Sequence, residues 1–206
     1  MPDQPTTDGR RLRRDRNRVA VVDALLSLFE QGNYDPSSDL IAATADPPVS
    51  SRSLFRYFDD VDDLYRAAID EQQRRVLHIV QRDLQPGADL VTRVRAVARQ
   101  RRELWTTNGP AAIAARSKAP FVPLIADNID LGRRFLRQQV AQQFAPELGA
   151  LPHDRAVTTL AAADVLLAFE SWWLLTGEQG LSADVAEQTL VDSLLTLMGP
   201  AHRQES

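Results

Sequence analysis

Apolar residues recur along this chain at helical spacing, and no run of alternating β-branched residues is long enough to make a sheet. Val22, Leu25, Leu26 and Phe29 fall at i, i+3, i+4 and i+7, one face of a helix predicted from about 14 to 31 and stopped by Gly32 and Asn33. Ser37 offers an N-cap for a short helix over 39–45, which Asp46, Pro47 and Pro48 end because neither proline can continue it. Ser50 can open a second short helix reaching Tyr57, and Asp60 a longer one carrying Leu64, Ala67 and Ala68 past Val76. The pair between Ser37 and Tyr57 reads as a helix-turn-helix.

After Pro86 and Gly87 the helices lengthen, to about 88–107, 110–117, 122–145, 153–176 and 183–198, with prolines and glycines at the joints. The expected fold class is all-α: a disordered tail over 1–9, a helix-turn-helix domain over 10–66 and a helical bundle over 67–206. A chain of 206 residues with 44% hydrophobic content can bury such a core.

Chemistry is narrowed by what the chain lacks. With no cysteine, thiolate nucleophiles, disulfides and cysteine-held metals are excluded. His78, His153 and His202 are far apart and have no ligand partner at metal spacing, so no metal or cofactor is expected. No Gly-rich phosphate loop and no G-x-S-x-G elbow is present, and the Asp59-Asp60 and Asp62-Asp63 pairs are explained by helix capping; an enzyme is not expected. No segment approaches the length of a membrane span, which points to a soluble, cytoplasmic protein.

The net charge of −4 conceals an uneven distribution. Arg10, Arg11, Arg13, Arg14, Arg16 and Arg18 place six arginines in nine residues, opposed there by Asp15 alone. In an arbitrary protein such a run is most often a solvated tail, but in front of a helix-turn-helix it can follow a DNA backbone or enter a minor groove.

The sequence resembles the tetracycline-repressor (TetR) family of transcriptional regulators. The resemblance lies in VVDALLSLFEQG at 21–32, IAATA at 41–45, VSSRSLFRYF at 49–58 and DDLY at 62–65, which together span about a quarter of the chain. It implies an N-terminal three-helix DNA-binding unit and a C-terminal domain that dimerises and binds a small effector. Three departures lie where that family meets DNA: Asp46-Pro47-Pro48 replaces a single turn glycine, Phe55 replaces a tyrosine, and Val61 replaces a lysine among Asp59, Asp60, Asp62 and Asp63.

On a helix from Ser50, Arg52 and Arg56 project from one face, a geometry suited to guanine O6 and N7 in a major groove. Ser50, Ser51, Ser53, Phe55 and Tyr57, with Arg13, Arg14 and Arg16, complete the expected DNA-binding set. The sequence LAAADVLLAFESWWLL at 160–175 is apolar almost all round and needs a second cover. A homodimer through Leu160, Leu167, Leu190, Leu194 and Leu197 is the expected cover. An effector pocket is expected from the resemblance, with Trp105, Phe121, Leu124, Ile125, Asn128, Phe169 and Trp172 as its candidate lining, each also explicable as plain core. The function expected is a ligand-responsive repressor acting as a homodimer on a palindromic double-stranded DNA operator, its half-sites one helical turn, about 34 Å, or a multiple apart. The alternative is a dimeric helical regulator that has lost operator binding and works through protein contacts; the acidic group at 59–63 favours it.

Overall fold

The computed structural model describes residues 6–199, except the side chains of residues 6–8 and 10. Arg10's side chain, His202 and the first five residues of the expected tail lie outside the described residues. The helices are α1 (Thr6–Glu30), α2 (Ser38–Thr44), α3 (Ser51–Tyr57), α4 (Val61–Val80), α5 (Leu90–Lys118), α6 (Pro123–Gln143), α7 (Ala145–Gly149), α8 (His153–Leu166), α9 (Phe169–Trp173) and α10 (Ala183–Met198). A π-helical turn, Leu174–Glu178, continues α9, and no strand occurs among the described residues.

Two compact units divide the chain: Met1–Arg75 with Pro110–Asn128, and Val76–Gly109 with Ile129–Ser206. The first is built on α1, whose Val21, Val22, Leu25, Leu28 and Phe29 are buried against Ile41 and Ala42 of α2, Leu54 of α3, Phe58 after it, Leu64 and Ala68 of α4, and Ala114 of α5. Each short helix is closed by the cap its sequence offers. The Ser37 and Ser50 hydroxyls accept the Leu40 and Ser53 amides, and Asp60 Oδ1 accepts the Asp63 amide at 2.7 Å. The Asp46–Pro47 peptide between α2 and α3 is cis.

In the second unit Leu190, Val191, Leu194 and Met198 of α10 are buried with Ala163 of α8, Leu167, Phe169 and Trp172, and α10 packs on α8. Polar side chains also lie inside. The amides of Gln100, Gln139 and Gln143 donate to the carbonyls of Ile79, Val80 and Leu84, at the end of α4 and in the turn after it. Arg93, 4% exposed, pairs with both Glu147 oxygens and donates to the Ala88 and Gln143 carbonyls.

Four sequence expectations change. α1 begins at Thr6 rather than near 14, so 6–9 are helical rather than part of a tail; Arg and Leu are good helix formers and nothing after Gly9 interrupts them. Pro110 does not end a helix, since α5 runs through it to Lys118. The helix expected over 153–176 breaks at Leu167–Ala168, though no glycine or proline stands there. Side chains bond carbonyls at that break: Trp105 Nε1 donates to Leu167 O at 3.0 Å, and Ser171 Oγ joins the Ala168 amide in donating to Val165 O. Finally, Leu167, Leu190 and Leu194 are 0–2% exposed within the chain itself and offer no surface to a partner, because α8 and α10 cover each other; Leu160 and Leu197 are half-buried.

Candidate nucleic-acid interface

Placement of the α3 side chains follows from which of them the core takes. Leu54 packs inward, as does Phe58 at the helix end, and Tyr57 is half-buried. That leaves Arg52, Phe55 and Arg56, at i, i+3 and i+4, on the solvent face, with Phe55 fully 55% exposed. An aromatic ring between two guanidinium groups on the second helix of a helix-turn-helix can meet base edges by hydrogen bonding and by apolar contact with a thymine methyl. Phe55 belongs to the DNA-binding set expected from the sequence, and in the structure its ring faces solvent.

The other expected DNA-binding residues are partly committed within the fold. Ser50 Oγ accepts the Ser53 amide at 3.1 Å and donates to Ser53 Oγ at 2.9 Å. Ser51 Oγ donates to Asp39 on α2. Tyr57 Oη accepts from Asn17 Nδ2 at 2.7 Å, which ties α3 to α1.

Arg18 is the residue whose role the sequence concealed. Its guanidinium donates to both Asp63 oxygens at 2.6 and 2.8 Å and to Tyr57 O at 2.7 Å, and it lies over the Phe58 ring, 4.3 Å from its centroid. One side chain of α1 therefore clamps the end of α3 to the start of α4. The Arg18 hydrogen bonds hold the Asp63 carboxyl down to a pKa of about 2, and the Asp63 partner raises that of Arg18. Asp63 is thus neutralised locally and Asp60 is occupied as a cap, so much of the acidic group at 59–63 is engaged with its own fold. Val61 is 49% exposed at the first position of α4. Arg13, Arg14 and Arg16 are exposed along α1, so the basic arm is helical rather than extended.

The expected effector lining is divided. Trp105, Phe169 and Trp172 are buried together in the second unit, with the Trp105 and Phe169 rings edge to face at 5.7 Å. Phe121, Leu124, Ile125 and Asn128 belong to the first unit. There Ile125 is buried, Phe121 is 84% exposed and Asn128 Oδ1 accepts from Gln73 at 2.8 Å.

No protein-family model matches the chain, and no curated protein does. A solved structure does: a Rhodococcus sp. protein assigned to the TetR family of transcriptional regulators, 19% identical, with a TM-score of 0.58 over 89% of this chain and 99% of that one. The likeness covers most of this chain and nearly all of that one, and the chain therefore has the same all-α fold as that TetR-family protein.

Proposed function

We propose that the chain is a ligand-responsive transcriptional regulator, a repressor that binds a palindromic operator as a homodimer and releases it on binding a small molecule. The observation that carries this reading is the solvent face of α3, where Arg52, Phe55 and Arg56 stand free of the core that fixes the helix. The Rhodococcus relative is described as a transcriptional regulator, which supports the same reading. The rival without operator binding rested on the acidic group, and the neutralisation of Asp63 by Arg18 weakens it.

For the homodimer, the supporting residues lie on α8 and at the junction of α9 with the π-helical turn. Val157 and Val165 are 50% and 65% exposed, and Trp173 and Leu174 41% and 50%. A second copy of that face would cover side chains that the subunit leaves in water. Release would follow from an effector that favours a bundle conformation whose recognition helices no longer match the operator spacing. The test is a mobility shift of the full chain on the DNA upstream of its own gene, beside Arg52→Ala and Arg56→Ala. A specific shift lost in both variants is expected; no shift at low salt would favour the rival.

A further inference from the structure

Two arginines on α5, two turns apart, are treated differently by the protein around them. Arg93 is met by the Glu147 carboxylate, with Nη1 and Nη2 on its two oxygens, and Nε donates to Ala88 O at 3.0 Å. Arg101 is more deeply buried, at 1% exposed, and every acceptor it has is neutral. Nη1 donates to Gln100 Oε1 and, at 2.8 Å, to Gln139 Oε1, while Nη2 reaches Leu136 O at only 3.3 Å. Nε has no partner. The acid whose charge acts on it is Asp164, and that carboxylate is bonded to Arg137 at 3.1 Å.

A buried cation without a counter-ion is costly, and the cost is usually met by an anion with good geometry. The two glutamines take Nη1, which leaves Nε without a partner beside an Nη2 that has only the long bond to Leu136 O; Nε and Nη2 together form the side of a guanidinium that matches both oxygens of a carboxylate. One helical turn on, Trp105 lies on the same face of α5. Its indole N–H is committed to Leu167 O, so Trp105 offers only an apolar ring, which packs edge to face with Phe169.

We propose that the Nε–Nη2 edge of Arg101 binds the carboxylate of an organic acid whose apolar body lies against Trp105. This names the chemical class of the effector and rests on the effector-responsive reading above. The edge is buried in this structure, so occupancy requires the packing around it to open. That gives the acid a different affinity for two conformations of the bundle, which effector control demands. Desolvation already lowers the Arg101 pKa to about 10, and a bound carboxylate would reverse that pressure.

The test uses the full chain with phenylacetate and its neutral analogue phenylacetamide, followed by thermal unfolding and titration calorimetry. Phenylacetate should stabilise the wild type in a concentration-dependent way and bind at least about tenfold more tightly than the amide, the discrimination expected of a charge-assisted fork. Arg101→Met, which keeps the stem and removes the buried charge, should unfold at or above the wild-type temperature and lose the preference for the acid. Arg101→Lys, which keeps charge without the fork, should lose most of it. Equal binding of both probes, binding of neither, or an undiminished preference in Arg101→Met overturns the proposal. So does a loss of stability in Arg101→Met that Arg101→Lys restores, since the arginine is then a structural cation. DNA binding without the acid is measured separately, and its failure would count against the regulator reading alone.

Discussion

Arg18 and Arg16 stand two residues apart in one basic run, yet only Arg16 is open to a phosphate; Arg18 is taken by Asp63, Tyr57 O and the Phe58 ring. Part of the fold's stability therefore rests on Asp63 staying ionised. Its pKa is depressed, from 3.8 to about 2, so its contribution to stability is present above the unfolded value and is lost as pH falls through 3.8 toward 2. Asp63→Asn should cost on the order of 1 kcal/mol at pH 7, because the half-exposed pair is screened by solvent, and the gap from wild type should close by about pH 2. Urea unfolding at a series of pH values checks it; a gap independent of pH would assign the loss to packing. Phe55 makes the opposite case, an apolar ring the core does not use. If it meets a thymine methyl, replacing that thymine by uracil in a selected operator should weaken wild-type binding a few-fold, about one buried methyl, and leave Phe55→Ala unaffected. Equal sensitivity of the two proteins would remove Phe55 from base readout.

At the scale of elements, what the sequence shows plainly is local. Ser37, Ser50 and Asp60 cap the helices they precede, and Val22, Leu25 and Phe29 form the buried stripe that their spacing predicts. What it hides depends on distant partners. The Leu167–Ala168 break has no local breaker and is supported by the indole of Trp105, 62 residues earlier, just as the fate of Arg18 turns on Asp63, 45 residues later. Trp105→Phe should therefore leave the Leu167 carbonyl unpaired and destabilise the chain by about 1–3 kcal/mol, measured by denaturant unfolding. A change within about 0.5 kcal/mol, the usual range for a neutral substitution, would show the break to be held by the rest of its packing. The exposed arginines of α1 make a different prediction, about DNA rather than stability. Replacing Arg13, Arg14 and Arg16 with alanine should weaken binding to specific and random duplexes alike and reduce the salt slope by about one unit for each phosphate that is no longer neutralised. An unchanged slope would leave α1 a solvated basic helix.

For the whole molecule, the proposed homodimer raises the question of which apolar surface a second copy would cover. Leu190 and Leu194 carry a regular apolar stripe, and regular stripes are ambiguous: α10 uses its own for α8 of the same chain, leaving both leucines at 0–1% exposure. Leu194→Glu should accordingly lose the fold itself, since an unpaired carboxylate enters a filled core at a cost of several kcal/mol. Val165 is 65% exposed and touches no such core. Val165→Arg should keep the helix content and the thermal transition of an isolated subunit while breaking the dimer, because a guanidinium would face its symmetry copy across an apolar surface. Operator affinity should fall steeply with dissociation, since each recognition helix then loses the high effective concentration that its tethered partner provides. Sedimentation and circular dichroism, run together on both variants, separate the outcomes. A dimeric Val165→Arg protein would move the interface off α8, and a folded, monomeric Leu194→Glu protein would return it to α10.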